Sequence, residues 1–416
     1  MQEKEKLWTP SFVLLTLANF VVALAYYLIA MKIVEYAYSV YHVSYSAAGA
    51  MVTLYAAASV TTRFVFGARM DSWGLRRSAL VGGALIVVAS GLYILEAGYW
   101  PLAGMRVVHG IAFAMNTGAL AAIAALLVPK SRQGEGIGYF SLSTAAAMAV
   151  GPMLAMVMTN NGASYRFLFV FTLVISLAAF ASLLLVRVPE PSREERRARC
   201  QTSRVAGATG AGAVGVIGRY IHLGILPIAS LAIPLMFCYS GVLSFMTSFA
   251  AERNLNDAAS LYFLVYAISM LVTRPMMGKR LDRRGENAVL YLTLTAASAG
   301  LAVLAVSFNG PVLLLSAILM GFGTGATQSS VQAVVSRNSA KEDLGKANST
   351  YFLCLDLGLG IGPVVIGAFL PVVGYTVTFL ILAAIALTGC GYYHLVHGRK
   401  VAGRESAASD SVVLQD

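Results

Sequence analysis

Charged side chains inside long apolar runs are the residues of this 416-residue chain with the clearest chemical potential. Arg106 opens the stretch RVVHGIAFA, Asp356 lies inside another apolar run, and Lys32 and Glu35 are three residues apart, on one face of a helix. A charge inside an apolar span costs about 2.5–3.5 kcal/mol even on insertion scales, so it usually faces a cavity or an opposite charge. These residues are therefore candidates for binding a charged ligand or for carrying protons.

Each of these groups also has a purely structural interpretation. Arg106 stands near the outer end of its run, where an arginine can snorkel to the interface. Asp356 can form a structural pair with an arginine such as Arg274, and Lys32 and Glu35 can form a weak bridge at an aqueous rim. Both interpretations remain open at the level of the sequence.

Composition identifies the elements that must hold these charges. Hydrophobic residues make up 58% of the chain and charged residues 12%, against roughly 25% charged residues in soluble domains. The chain is therefore predicted to be a membrane protein with the lipid bilayer as a partner. Its net charge of +11 does not indicate nucleic acid, because the basic residues are scattered between apolar runs and form no contiguous patch. Gly210, Gly212 and Gly215 formally match a dinucleotide-binding spacing, but they lie in a linker and do not follow a predicted strand. No metal-ligand spacing is present, so we expect no metal and no cofactor.

Runs of about 20 apolar residues, enough to cross a hydrocarbon core of about 30 Å, predict twelve transmembrane helices. They lie at residues 11–33, 46–68, 77–97, 100–128, 136–159, 165–187, 224–249, 258–278, 287–308, 311–335, 345–371 and 374–396. Most lysines and arginines fall in segments that are inside when the N-terminus is inside, and cytoplasmic segments accumulate these residues. We therefore predict that both termini are cytoplasmic.

The second six spans repeat the first six. The stretch GARMDSWGLRR, which starts at Gly67, returns as GKRLDRRGENA from Gly278, at an offset of 211 residues (278 minus 67). Further positions match at the same offset, namely Gly110 with Gly321 and Gly151-Pro152 with Gly362-Pro363. Such a duplication is what alternating access between two halves predicts.

Twelve spans, a six-plus-six repeat, a long central loop and the repeated motif together resemble the major facilitator superfamily over nearly the whole chain. The resemblance implies an all-α membrane protein with twelve transmembrane helices in two pseudo-symmetric six-helix bundles. The corresponding domains are an N-terminal bundle at 1–187, a cytoplasmic linker at 188–223, a C-terminal bundle at 224–396 and a cytoplasmic tail at 397–416.

The repeated stretch is similar to the family's signature loop between spans two and three, which stabilises one gating state. Its residues are Gly67, Asp71, Gly74, Arg76 and Arg77, and in the second copy Gly278, Asp282, Arg283 and Gly285. Gly67 is expected to let a neighbouring helix approach closely, and Asp71 to meet a helix N-terminus or an arginine. Ser72, Asn287 and Ala288 depart from the basic residues of the family motif. The alternative is that the arginines are topology charges only.

The start of span four is similar to a motif of drug:proton antiporters in this superfamily, in which an arginine is followed by glutamine and glycine. Arg106 and Gly110 match this motif, and His109 stands in place of the glutamine. The resemblance implies a proton-relay role for Arg106.

A glycine-proline motif associated with exporters resembles two further stretches. Its positions here are Gly151 and Pro152 in span five and Gly358, Gly362 and Pro363 in span eleven. Small residues allow close helix packing and a proline kinks a helix, which can seal a helix pair against leak. Ordinary helix packing is the alternative.

First spans line the central cavity in this superfamily, so Lys32 and Glu35 are candidates for meeting a charged or zwitterionic substrate. Glu35 joins Arg106 and Asp356 as a proton-coupling candidate. Other polar residues expected to line the cavity are Asn19, Asn116, Tyr239, Ser244, Gln328 and Gln332.

These features predict a secondary-active transporter and not an enzyme. The preferred function is proton-coupled export of small organic molecules by alternating access, carried out by a monomer in the bacterial inner membrane, with protons and a small-molecule substrate as partners. The alternatives are a metabolite importer or facilitator of the same fold, a polytopic membrane enzyme, for which no catalytic cluster is visible, and a receptor that has lost transport. The sequence does not identify the substrate.

Overall fold

The computed structural model describes residues 6–67, 73–129, 132–188, 221–339, 344–399 and 401. Asp71 and Ser72 of the first loop copy lie outside these residues, as do most of the predicted linker and of the predicted tail. The chain divides into two compact units, which are Met1–Arg219 with Leu243–Thr247, and Tyr220–Val242 with Ser248–Asp416.

Six long helices form the first unit. They are α1 (Pro10–Tyr41), α2 (Tyr45–Gly67), α3 (Leu75–Tyr93), α4 (Tyr99–Leu127), α5 (Gln133–Asn160) and α6 (Tyr165–Leu185). Pro10 suits the first turn of α1, and the Thr9 side chain caps this helix by accepting a hydrogen bond from the Phe12 amide at 3.3 Å. Helix α1 packs against α2, α4, α5 and α6, so its side chains lie near the centre of the unit.

The second unit consists of a short helix, four long helices and a final π-helical turn, except that Leu243–Thr247 of the first long helix belong to the first unit. They are α7 (Leu226–Ala229), α8 (Ala232–Glu252), α9 (Asn256–Ala305), α10 (Gly310–Arg337), α11 (Leu344–Tyr393) and the turn His394–Gly398. Helices α9 and α11 have 50 residues each, which corresponds to about 75 Å, more than twice the thickness of a hydrocarbon core of about 30 Å.

One glycine interrupts each of these two long helices. Gly285 in α9 has φ 76° and ψ 176°, and Gly374 in α11 has φ 74° and ψ 172°, a backbone conformation that glycine adopts without steric cost. Gly285 falls in the predicted connection between spans eight and nine, and Gly374 lies at the predicted start of span twelve. Each of the two helices therefore covers two predicted spans.

The predicted fold class, an all-α membrane protein, is confirmed. Ten helices in the described residues are long and apolar enough to cross a membrane, and no described residue lies in a strand. The protein is therefore multi-pass. The count of twelve spans stays a prediction, because α9 and α11 are each continuous apart from their glycine.

The internal repeat is visible in how helices cross. A Cβ atom placed on Gly110 of α4 would overlap the carbonyl oxygen of Tyr55 in α2, and a Cβ on Gly321 of α10 would overlap the carbonyl oxygen of Tyr266 in α9. All four positions are related by the same 211-residue offset. Both units therefore use a glycine to bring two helix backbones into direct contact.

Candidate functional site

Arg106 is fully buried in α4, with no exposed surface. Its Nε donates to the carbonyl oxygen of Met51 in α2 at 3.0 Å, and its Nη1 donates to the hydroxyl of Tyr93 in α3 at 3.4 Å. The guanidinium carbon lies 4.7 Å from the centre of the Tyr55 ring, within the range of a cation–π contact. Three helices of the first unit therefore hold this side chain, and it does not extend to an exposed interface.

His109 lies one turn after Arg106 on α4 and shares two of its neighbours. The His109 Nδ1 is 3.0 Å from the Tyr93 hydroxyl, and the imidazole ring meets the Tyr55 ring edge-on, with centroids 5.5 Å apart. His109 is also fully buried. The residue that departs from the antiporter motif is therefore part of the arginine's own hydrogen-bond network.

The donors and acceptors in this network favour one tautomer of the His109 imidazole. A guanidinium has only donors, so the Tyr93 oxygen accepts from Arg106 and has its own proton left to give. The His109 Nδ1 is the acceptor within reach. A neutral imidazole that accepts at Nδ1 carries its proton on Nε2, so the geometry favours His109 with an N–H at Nε2.

The positive charge of Arg106 is not balanced by a carboxylate among the described residues, where the salt bridges are formed by other side chains. The Arg106 Nη2 and the His109 Nε2 are buried, and neither has a hydrogen-bond partner among the described residues. An unpaired buried charge is costly even when neighbouring dipoles stabilise it. The site therefore has unused capacity to donate hydrogen bonds to a negative group.

Lys32 and Glu35 form an ion pair in the interior of α1. The Lys32 Nζ lies 2.8 Å from the Glu35 Oε2, and the side chains are 5% and 25% exposed, respectively. The spacing of three residues predicted that the two side chains share a helix face, and they are in contact. Because the lysine is buried, the pair is not a bridge between solvated side chains. Because Lys32 is buried and Glu35 is half-buried, loss of one partner would leave the charge of the other uncompensated in the interior.

A row of aromatic rings connects the ion pair to the arginine network. Tyr36, next to Glu35, meets Phe169 of α6 edge-on with ring centroids 5.1 Å apart, and Phe169 stacks on Tyr93 at 5.6 Å. The Tyr36 hydroxyl is 3.0 Å from that of Tyr41. Sequence reasoning did not identify Phe169, Tyr93 or Tyr55 as part of this site.

Two predicted cavity residues of the first unit hold helices together. Both amide hydrogens of Asn19 have acceptors in α5, the hydroxyls of Ser143 and Thr144, each at 2.9 Å. The side-chain amide of Asn116 donates to the carbonyl oxygen of Ala79 in α3 at 2.8 Å. Any role of these residues toward a substrate stays a prediction.

The remaining predicted cavity residues lie on α8 and α10. Tyr239 and Ser244 are buried in α8, and the Tyr239 ring stacks on Tyr266 at 5.6 Å. The Gln328 side chain donates to the sulfur of Met236 at 3.4 Å, and Gln332 is half-buried. Their predicted role as cavity lining is neither supported nor contradicted by these contacts.

Asp356 is half-buried in α11, and Arg274, its suggested structural partner, is half-buried in α9. Both belong to the second unit. The choice between a proton-coupling role and a structural role for Asp356 stays open.

The second copy of the signature loop is held by its aspartate. Asp282 forms an ion pair with Arg337 at the end of α10, and these side chains are 63% and 49% exposed. Arg283 is exposed. Among the described residues, no atom of another helix lies within 4 Å of a Cβ placed on Gly278, so the reason given for the glycine of the first copy, close helix packing, does not apply to its repeat. Arg76 and Arg77 of the first copy are exposed at the start of α3, where Gly74 has φ 92°.

Asn287, one of the two positions that lack the family's basic pair, has hydrogen bonds of its own. Asn287 donates to the carbonyl oxygen of Gly398 at 3.2 Å and accepts from the Tyr393 hydroxyl at 2.8 Å. The preceding residue, Glu286, lies 2.5 Å from the His397 Nε2. This loop copy therefore anchors the C-terminal π-helical turn.

The glycine-proline stretches form close helix crossings in both units. A Cβ on Gly151 of α5 would lie 2.7 Å from the Tyr27 Cβ in α1, and a Cβ on Gly362 of α11 would lie 3.0 Å from the Phe237 carbonyl oxygen in α8. Gly358 contacts α8 in the same manner. Pro152 and Pro363 lie inside their helices. Close packing thus accounts for these residues, and a specific link to export stays a prediction.

Fold and site together define a multi-pass helical membrane protein that keeps ionisable groups inside its helix bundles. The sequence model of the Major Facilitator Superfamily matches residues 15–313 and, in an overlapping match, residues 256–413. The chain therefore belongs to the Major Facilitator Superfamily. The family and the fold are those of transporters, and no catalytic family is indicated.

Known proteins agree with this assignment. The chain is 24% identical over 348 residues to an uncharacterized MFS-type transporter of Salmonella typhimurium, covering 82% of this chain and 84% of the relative. It is 23% identical over 331 residues to a multi-drug resistance efflux pump PmrA homolog of Lactococcus lactis, covering 79% of each. The crystal structure of a POT family transporter in complex with a thioalcohol conjugated peptide has a TM-score of 0.73 at 14% identity, covering 94% of this chain and 96% of that one.

Proposed function

We propose that this transporter exports small organic molecules with at least one charged group, in exchange for protons that enter the cell. The direction is inferred from a relative that bears the name of a multi-drug resistance efflux pump. In keeping with the distribution of basic residues, the proposal has both termini in the cytoplasm, the chain in the bacterial inner membrane, and a monomer as the functional unit.

The observation that carries the proposal is the ion pair inside α1. Lys32 is almost completely buried, whereas Glu35 retains 25% exposure. Water can therefore reach the Glu35 carboxylate and deliver a proton to it. A positive group on a substrate would compete with a proton for the Glu35 carboxylate, while the negative charge of an ionised Glu35 is needed to balance the buried lysine. Proton and substrate would thus bind to the same carboxylate in turn, which is the requirement for exchange.

The test is transport by the purified full chain in proteoliposomes, with and without a pH gradient, against a library of charged and neutral metabolites. The proposal expects accumulation of charged substrates that depends on the gradient and disappears with a protonophore. Glu35→Gln is expected to abolish gradient-driven transport while counterflow exchange continues. Asp257→Asn, which changes an exposed carboxylate at the start of α9, serves as the matched control.

Two results would decide against the proposal. Equal transport with and without the gradient would identify a facilitator, and accumulation in the opposite direction would identify an importer. Gradient-driven transport that survives Glu35→Gln unchanged would remove the ion pair from the coupling step, although export itself could still be correct.

A further inference from the structure

We propose that Arg106 and His109 form a binding site for a small anion within the first unit. The anion is either chloride from solution or a carboxylate group on the transported molecule. The second possibility rests on the proposed function, whereas the first does not depend on it.

The first step of the argument is charge. Arg106 is fully buried, and its described partners are a carbonyl oxygen, a tyrosine hydroxyl and the face of an aromatic ring. All three are neutral. Dipoles of this kind reduce the cost of burying a cation but leave the net charge in place, and a bound anion would remove it.

The second step concerns unused donors. The Nη2 of Arg106 and the Nε2 of His109 are both buried and lack a hydrogen-bond partner in the described residues. The chain of bonds through Tyr93 favours the imidazole with its proton on Nε2. Both free atoms are therefore donors, which suits an anion and does not suit a cation or a second donor.

The third step is that the two donors belong to one place. Arg106 and His109 are three residues apart on α4, so they lie on the same helix face. Both bond the Tyr93 hydroxyl, and both lie against the Tyr55 ring, the guanidinium carbon at 4.7 Å and the imidazole centroid at 5.5 Å. Two tyrosine rings thus flank the donor pair, and a guanidinium can hold a carboxylate or a halide through its remaining N–H groups.

The repeat provides an internal comparison. At the offset of 211 residues, Arg106 corresponds to Ala317 and His109 to Met320. The second unit therefore keeps the helix crossing but has no charged side chain at these positions. The proposed anion site is specific to the first unit and is not a requirement of the fold.

The experiment measures thermal unfolding of the purified full chain in detergent, in a low-salt zwitterionic buffer. Sodium chloride, sodium benzoate and the neutral analogue benzamide are titrated separately. The expected result is a saturable rise in melting temperature with chloride or benzoate and none with benzamide. Protection by chloride alone identifies an inorganic anion site, and protection by benzoate alone identifies a carboxylate site.

Substitutions test whether the protection comes from these residues. His109→Met, which installs the residue of the second unit, is expected to weaken apparent anion affinity roughly ten-fold, as for loss of one hydrogen bond to a charged group. His109→Gln keeps a side-chain N–H and is expected to retain most of the affinity. His394→Gln, a histidine bonded to Tyr291 in the second unit, is the matched control and should behave as the wild type.

Arg106→Lys keeps the charge but removes the planar fork, and it is expected to reduce affinity strongly. It also replaces His109→Met as the test if that variant does not fold. Anion protection that is identical in the wild type, in Arg106→Lys and in the folded His109 variants would overturn the proposal, as would equal protection by benzoate and benzamide. Because this assay contains no gradient and no vesicle, its result stands whether or not proton-coupled export is found.

Discussion

Gly110 in the first unit and Gly321 in the second lie against the carbonyl oxygens of equivalent tyrosines, Tyr55 and Tyr266. The side chains around this shared crossing differ: Arg106, His109 and Tyr93 in the first unit correspond to Ala317, Met320 and Leu304 in the second. In the second unit one polar contact at the crossing joins two neutral groups, the hydroxyls of Tyr266 and Thr324, which are 2.7 Å apart. The duplication has preserved how the backbones pack, while the charged network at the crossing occurs in one copy.

The largest effect on transport is expected from a change of Asp356, the carboxylate inside the second unit. Asp356→Asn should reduce gradient-driven transport to background and leave counterflow exchange intact, because an amide cannot cycle between protonated and ionised forms. Proteoliposome transport in both modes measures this. If pH-driven transport is unchanged, Asp356 has no part in coupling, and the chemical difference between the two units becomes larger than proposed.

Alanine at the two crossing glycines should have equal effects in the two units. A Cβ at either position overlaps a tyrosine carbonyl oxygen, and overpacking of this kind costs about 1–3 kcal/mol. Gly110→Ala and Gly321→Ala should therefore lower the melting temperature of the purified protein to a similar extent. Gly104→Ala on α4, where no atom of another described helix lies within 4 Å of the added Cβ, is the control and should be neutral or stabilising. A loss in only one unit would contradict the shared crossing.

Charge reversal tests whether the ion pair of α1 serves structure or substrate. Lys32→Glu or Glu35→Lys alone places two like charges together in the interior, and breaking a buried pair costs about 3–5 kcal/mol. The double change should recover folded yield, since a pair is restored. Transport should stay impaired or change its substrate preference if the pair contacts the substrate. Complete recovery for every substrate would leave these residues with a structural role only.

The smallest effect on stability is expected in the second copy of the signature loop. The pair of Asp282 and Arg337 is largely exposed, so Asp282→Asn should change the free energy of unfolding by only about 0.2–1 kcal/mol. Asp71→Asn in the first copy should lower transport per folded molecule more than it lowers expression. Normal transport in both variants would mean that the two copies carry topology charges and do not contribute to gating.

The sequence predicted the all-α membrane class and the repeat because long apolar runs and a constant offset can be read without knowing which helices are neighbours. It predicted the contact of Lys32 with Glu35 because a spacing of three residues places two side chains on one face of a helix. It did not predict how deeply Lys32 is buried, because burial depends on the helices that pack against α1 and not on α1 alone.

Sequence reasoning did not identify which residues of different helices contact each other. Tyr93 is thirteen residues from Arg106 and in another helix, and nothing in its surroundings distinguishes it from other tyrosines in apolar runs. The prediction that Asn19 and Asn116 line a cavity stays a prediction, and the sequence did not show that their amides bond neighbouring helices. A polar residue in a span is visible in the sequence, whereas the helix that it faces is not.

The C-terminal turn has a consequence for how the protein is made. Asn287 and Glu286 are each 111 residues from their partners in the turn, Gly398 and His397, whereas Arg106 finds its most distant described partner, Met51, 55 residues earlier in the chain. A bond can form only when both ends have been synthesised, and domains generally form in order from the N-terminus. The arginine network can therefore assemble early in translation, but the contacts of Asn287 and Glu286 with the turn must wait until His397 and Gly398 have been synthesised.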